Sequence, residues 1–272
     1  MTAPSQSDGK GAASVTPPLK WAGGKRWQVV PYIIPLWENH RSRRLVEPFC
    51  GGLAVALGLR PKRALLNDVN PHLINFYRWL KRGLRVELKL RNEKAHYYDS
   101  RKRFNELTAN GGRASAEAAT LFYYLNRTGY NGLCRFNRSG GFNVPFGRYS
   151  KKLAYRQDFL EYKTVLRNWK LKSVDFTRLA LEDDDFVYAD PPYDVDFTQY
   201  ASQGFTWEQQ IRTAEWLSQH PGPVILVNQA TPRIMKLYRS LGFRLSTHDA
   251  PRRINCTGDR TPALEVLATR NL

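Results

Sequence analysis

The chain has 272 residues, long enough for one large domain or for a catalytic domain carrying an inserted lobe. Its 42 Lys and Arg against 24 Asp and Glu give a formal charge of +18 spread along the sequence; a polyanionic partner is the natural reading, with nucleic acid ahead of an acidic membrane or protein surface. Cys50, Cys134 and Cys256 lie far apart without a C-x-x-C pair, which argues against a disulfide framework and a structural zinc site, so no metal is expected.

In chain order, the opening MTAPSQSDGKGAAS is small and polar with no apolar signal core, so residues 1–16 read as a disordered tail. No apolar run reaches the length of a membrane span; no membrane partner and a cytoplasmic location are expected. Two short β-like runs follow, in RRLVEPF and RALLNDV, separated by LAVALGL, which reads as a buried helix; together they predict a βαβ unit with a right-handed crossover. From Pro71 the pattern changes to amphipathic basic helices: PHLINFYRWLKRGL, AHYYDSRKRFNEL and ASAEAATLFYYLNR. Then comes a Gly/Asn-rich stretch in which Ser139, Gly140 and Gly141 supply the turn of a hairpin.

After a helix-like run around YRQDFLEYKTVLRNW, the α/β alternation resumes with strands in LKSVDF, FVYADPPY and PVILVNQ. Thr206 with Gln209 three residues on predicts a capped helix start, and Thr231 followed by Pro232 predicts another. RRINCTGDRTPALEVLATR reads as a terminal β-hairpin. The expected fold is α/β and Rossmann-like, a catalytic domain formed by residues 17–69 and 156–272, with residues 70–155 inserted as a helical and β-hairpin lobe.

In an open α/β sheet, ligands collect beyond the carboxyl ends of the strands. Glu47, Phe49, Gly51 and Gly52 end the first run, and Asp68 ends the second, a spacing that suits an adenosine-containing cofactor whose ribose Asp68 would hold. The glycines also fit a plain tight turn, and Asp68 a plain helix cap before Pro71. Asp190, Pro191, Pro192 and Tyr193 directly after FVYA carry the strongest signal: a carboxylate before two prolines forms a stiff turn at a strand end. Such a turn can present the Asp190 carboxylate and the Pro191 carbonyl to the two hydrogens of one amine, with Tyr193 as a stacking face. It also fits a rigid surface loop.

These residues, with KWAGGK at 20–25, EPFCGG, NDVNP, YLNRTGYNGLCRFN, FNVPFGRY and DPPY in that order, resemble the α-group adenine-specific DNA methyltransferases, the Dam family, over nearly the whole chain after Pro17. The resemblance implies an S-adenosylmethionine-dependent methyltransferase fold with a target-recognition domain at residues 70–155, acting on double-stranded DNA and leaving S-adenosylhomocysteine. It implies cofactor contacts from Trp21, Lys25, Glu47, Phe49, Gly51, Asp68 and Asp190, a catalytic turn at Asp190, Pro191, Pro192 and Tyr193, and no metal. It further implies a GATC target, with Arg135 on a guanine, Leu133 and Pro145 at the thymine, Lys20 and Tyr149 at the first base pair, Tyr130 wedged where adenine flips out, and Asn131 on a phosphate. Arg135 on phosphate alone, with Leu133 packed internally, remains open beside this. One position departs: many members carry a third glycine where this chain has Leu53, although phage members share a leucine form, and a reshaped pocket is expected. An RNA-adenine methyltransferase and a basic DNA-binding module without catalysis are the competing readings; GYNGLCRFN and FNVPFGRY favour duplex DNA over the first, and intact Asp68, Asp190 and Tyr193 oppose the second.

Overall fold

The structure is a computed structural model that describes residues 15–21, 25, 28–150, 153–194, 205–250 and 263–272. Ala22, Gly23, Gly24 and Cys256 lie outside the described residues. Of the tail expected over residues 1–16, the last two are tied down: Val15 is buried in the core, and the Thr16 carbonyl accepts from Tyr162 Oη at 2.5 Å. The packed chain therefore begins by Val15.

A seven-stranded sheet in the order β3-β2-β1-β4-β5-β7-β6 forms the frame. Its strands are β1 (Leu45–Glu47), β2 (Ala64–Asn67), β3 (Trp169–Lys172), β4 (Phe186–Ala189), β5 (Val224–Gln229), β6 (Arg244–Ala250) and β7 (Ala263–Arg270). The pairs from β3 to β5 are parallel, and β7 lies antiparallel between β5 and β6. β1, β2, β4 and most of β5 read as continuous apolar runs because both sheet faces are covered. Leu45, Leu66, Phe186 and Ile225 point to one core, while Val46, Leu65, Val187 and Leu226 point to the other, the period of two expected of strands. Strand order reverses between β1 and β4, which sets the carboxyl ends of these two strands side by side.

The helices are α1 (Ile34–Trp37), α2 (Ala54–Leu59), α3 (Pro71–Arg82), α4 (Lys94–Ala109), α5 (Ala116–Thr128), α6 (Leu160–Val165), α7 (Trp207–Ser218) and α8 (Pro232–Ser240). Their ends follow local chemistry. Asn70 caps α3 by accepting from His72 and Leu73 N–H, Gly83 stops it at φ +86°, and Thr206 with Gln209 completes the capping box of α7. Thr231 caps α8 ahead of Pro232. The core on the first sheet face runs without a break into α3 and α5 through Phe76, Phe122 and Tyr123. No helix among the described residues is long and apolar enough to cross a membrane.

Sequence and structure differ in three elements. The helical run around residues 155–169 shortens to the six residues of α6, because the preceding stretch is held in extended form by Val86 N–H on Gln157 O and Phe159 N–H on Leu84 O. β3 starts at Trp169, two residues before LKSVDF, because Trp169 pairs with Ala64 and seals its indole on the Pro61 carbonyl. In the terminal hairpin, the strand paired with β7 is β6, which precedes RRINC; residues 251–262 lie outside the described residues. The turn at residues 139–141 is present: Phe136 bridges Phe142, and Gly140 takes φ +79°.

Candidate active site

A cavity of about 570 Å³ opens where β1, β2 and β4 end, within the size range of small-molecule sites. Trp21, Lys25, Glu47, Phe49, Gly51, Asp68, Asp190, Pro191, Pro192 and Tyr193 all line it. Every residue expected to hold the cofactor or to carry the catalytic turn is thus in one place. The glycines make its wall thin: a Cβ on Gly51 or Gly52 would come within 2.7 or 2.9 Å of Trp21 atoms. Asp68 is not the α3 cap, since Asn70 performs that task; its carboxylate instead accepts from Gly51 N–H at 3.2 Å and Asn70 N–H at 2.9 Å.

Leu53 does not line this cavity. It is fully buried in the core and takes φ +62°, the left-handed conformation that a glycine would adopt freely. The Leu53 side chain thus packs into the core, between the cavity-lining residues Gly52 and Ala54.

Acidic groups dominate the cavity despite the basic chain. Burial pushes Glu47 up to about 8, against a weaker pull from the Ala56 N–H and with a further push from Asp190. Asp190 is pushed up to about 6, first by burial, while Lys25 acts downward and Glu265 upward. Asp68 is raised by burial as well. Glu47 Oε1 and Asp190 Oδ1 are both sealed from solvent without a hydrogen-bond partner, although Lys25 Nζ stands 3.4 Å from Asp190 Oδ1 as an ion pair. Unsatisfied buried acceptors are costly, so these two suit a ligand that brings donors or positive charge. The donor set, the glycine wall and the acidic lining fit an adenosyl sulfonium compound carrying an ammonium group.

Several residues that the sequence did not single out hold the turn. Gln210 donates to the Pro192 carbonyl at 2.7 Å, and Asn228 accepts from Asp194 N–H at 3.1 Å while donating to Gln210 and Tyr238. Arg233 and Thr231 fix the Asp194 carboxylate. Glu265 takes Lys25 at 2.8 Å, and Lys25 also donates to Tyr193 Oη. Val69, 76% exposed, and the cysteines Cys50 and Cys134 also line the cavity. Thr231 reads from the sequence only as a helix cap, and the polar Asn228 inside the apolar run PVILVNQ is the signal that could have pointed to another of these supports.

The residues expected to meet DNA divide. Leu133 lines the cavity and packs partly on the core, whereas Lys20, Tyr130, Asn131, Arg135, Pro145 and Tyr149 are not among the lining residues. Lys20 Nζ sits 3.8 Å from the Tyr149 ring centre and donates to the Arg127 carbonyl; burial, helped by Arg127, lowers it to about 8. Tyr149 Oη donates to Gly129 O at 3.0 Å, and Tyr130 N–H to Pro145 O at 2.9 Å, leaving the Tyr130 ring exposed. Asn131 takes φ +51° in the same turn. Arg135 is exposed on the hairpin, its Nε donating to Asn143 Oδ1 at 2.8 Å.

The acids Glu182, Asp184 and Asp185 group together just before β4, at the end of that strand opposite Asp190, and Arg44 pairs with Glu182 and Asp185.

A model of the D12 class N6 adenine-specific DNA methyltransferases matches residues 21–254. A DNA adenine methylase of Vibrio cholerae is 38% identical over 92% of this chain and 94% of its own length. The Retron Ec67 DNA adenine methylase of Escherichia coli is 35% identical over 92% and 90%, and the DNA adenine methylase of Escherichia coli K12 is 34% identical over 81% and 83%. With the sheet order, the cavity at its switch point and these matches in agreement, the chain belongs to the D12 class of N6 adenine-specific DNA methyltransferases.

Proposed function

We propose that the enzyme flips adenine out of duplex DNA and methylates its N6 amine directly at the turn of Asp190, Pro191, Pro192 and Tyr193, within GATC. Family membership makes the reaction N6-adenine methylation of DNA with S-adenosylmethionine. The observation that carries the site assignment is the Asp190 carboxylate: a buried group on a rigid turn, lining the same cavity as Asp68 and Gly51, whose Oδ1 has only the 3.4 Å ion pair with Lys25.

Trp21, Lys25, Glu47, Phe49, Gly51 and Asp68 would hold the cofactor, with Asp190 at its reactive end. When bound, S-adenosylmethionine supplies a methyl group activated by a sulfonium. The chain's part is orientation and electrostatics. Asp190 and the Pro191 carbonyl accept the two amine hydrogens, aim the nitrogen lone pair and favour the positive charge that grows on N6. Tyr193 gives the flipped base a stacking face. Gln210, Asn228 and Arg233 stop the turn from drifting. No strong base is required, because the proton can leave after transfer, and no metal is assigned a role.

Residues 70–155 are assigned target recognition. Unstacking the adenine costs a few kcal/mol, and the exposed Tyr130 ring is assigned the vacated space. The GATC assignment rests on the resemblance carried by YLNRTGYNGLCRFN and FNVPFGRY, beside which Lys20 pairs with Tyr149. Sequencing modified bases in DNA from cells expressing the enzyme tests polymer, base and site together. N6-methyladenine confined to GATC is the expected result; methylation at other sites would overturn the GATC assignment. Asp190→Ala should abolish tritiated methyl transfer while DNA binding survives, and near-normal turnover would overturn its catalytic role.

A further inference from the structure

Glu265 lies on β7, in register with Gln229 at the end of β5, and β5 in turn pairs with β4 just before Asp190. The antiparallel insertion of β7 thus delivers a second carboxylate beside the catalytic turn. Glu265 is 6% exposed, Lys25 3%, and Gln28 is fully buried. Lys25 Nζ is 2.8 Å from Glu265 Oε2 and 3.4 Å from Asp190 Oδ1, so its shorter bond is to Glu265, and Tyr193 also hydrogen-bonds the Asp190 carboxylate. Gln28 Nε2 also donates to Glu265 Oε2 at 3.4 Å, while its own Oε1 accepts from Tyr188 Oη at 3.0 Å. Glu265 is therefore anchored independently of Asp190.

A lysine held between two buried carboxylates goes to the one with the shorter, better-aligned bond, and in a low-dielectric site that choice decides which carboxylate is left open. We propose that Glu265 is a positioning residue for methyl transfer: by drawing the Lys25 ammonium to itself, it keeps Asp190 open to accept from the adenine amine. The inference rests on Asp190 being that acceptor. Without Glu265, Lys25 closes on Asp190, and the amine must displace a charge-assisted bond to reach it. The groups bearing electrostatically on Asp190 are Lys25, Glu265 from β7, Tyr193 from its own turn, Glu47 from β1, Tyr188 from β4 and Tyr238 from α8. Glu265 acts upward on the Asp190 carboxyl and Lys25 downward, so removing Glu265 moves both influences in one direction.

Glu265→Gln keeps the shape and removes the charge. Single-turnover transfer of tritiated methyl should fall about tenfold to a hundredfold. Calorimetric cofactor affinity should stay within about threefold, because the loss is of transition-state positioning. Carbon-13 titration of Asp190 in the cofactor-free chain should move down by about one pH unit, and the acid limb of the rate profile with it. Glu265→Asp, which retains a buried charge if the first variant does not fold, should give an intermediate rate and an intermediate Asp190 titration. In either variant, an undiminished rate, or a lower rate with an unmoved Asp190 titration, overturns the proposal. Asp190→Ala separates this inference from the reading beneath it: normal turnover there removes Asp190 as acceptor, whereas a dead Asp190→Ala beside unaffected Glu265 variants removes only the role of Glu265.

Discussion

Asn126 and Lys20 are joined through a doubled amide contact: Lys20 N–H donates to Asn126 Oδ1 at 2.9 Å, and Asn126 Nδ2 donates to the Lys20 carbonyl at 2.8 Å. The same Nδ2 reaches the Gly132 carbonyl at 3.1 Å, and Asn126 is 1% exposed. One buried side chain at the end of α5 therefore ties the segment at Lys20 to the turn that carries Tyr130 and Leu133. Close packing seals the joint, since a Cβ on Gly132 would stand 2.4 Å from that of Lys20.

Asn126→Ala should strand the Lys20 N–H and two carbonyls, costing about 2–4 kcal/mol by the desolvation of unsatisfied polar groups. Because the joint ties Lys20 to the turn carrying Tyr130 and Leu133, all three proposed to meet DNA, the variant should lose discrimination among single-base variants of GATC as well as thermal stability. Denaturation and methylation assays on matched duplexes check both. Stability loss with discrimination intact would show that the joint is only structural.

Leu53→Gly sets two effects against each other. Releasing a left-handed leucine relieves about 1–2 kcal/mol, whereas deleting a fully buried leucine side chain costs about 2–5 kcal/mol. The core term is larger, so the variant should be less stable by about 1–3 kcal/mol in urea denaturation. Cofactor affinity should hardly change, since Leu53 does not line the cavity. A stabilised variant would show that strain, not packing, governs this position.

Much of the frame is legible in the sequence because β1, β2, β4 and most of β5 are buried on both faces and so appear as mainly apolar runs. β6 is not legible: RLSTHDA is largely exposed and polar, an edge strand that carries no such signal. The cofactor side of the site can be read from glycine, carboxylate and proline chemistry at strand ends. Its supports cannot, because Glu265, Gln28 and Gln210 are ordinary polar residues until the sheet order brings them to the turn. Glu265 sits more than seventy positions from Asp190 in the sequence, and only the insertion of β7 beside β5 makes them neighbours.

Glu47 gives the cofactor-free enzyme a pH-dependent stability. Its carboxyl is raised from 4.5 to about 8, so the neutral form is favoured in the fold. The stabilisation is complete below the unfolded value and is lost as pH rises through the folded one. Thermal stability should therefore fall between about pH 4.5 and 8, and fall less in Glu47→Gln, which stays neutral throughout. A ligand bringing positive charge to Oε1 would ionise the group. Calorimetry at pH 7 in buffers of different ionisation enthalpy should then report release of up to about one proton on cofactor binding, absent in Glu47→Gln. An identical pH response in both proteins would remove Glu47 as the titrating group.

Arg135 offers the sharpest test of sequence reading. Asn143 holds it from two sides, its Oδ1 taking Nε at 2.8 Å and its carbonyl taking a terminal guanidinium nitrogen at 3.3 Å, while Asn143 N–H returns to the Arg135 carbonyl at 3.1 Å. An exposed guanidinium fixed along one edge is a pre-aimed donor, suited to the paired O6 and N7 acceptors of guanine in the major groove. A phosphate contact needs charge but little aim. Arg135→Ala should cost about 1–3 kcal/mol of discrimination and relax the requirement at one base pair of GATC. Arg135→Lys, which keeps the charge without the fork, should recover DNA binding but not discrimination. Asn143→Ala, which frees the guanidinium, should fall between the wild type and Arg135→Ala. The measurement is the ratio of kcat/KM on GATC to that on each of its single-base variants, taken at one fixed salt concentration because phosphate contacts are salt-dependent. If Arg135→Ala lowers all of these values by one common factor and Arg135→Lys restores them, the arginine is a phosphate contact and the guanine at that position is read by another residue.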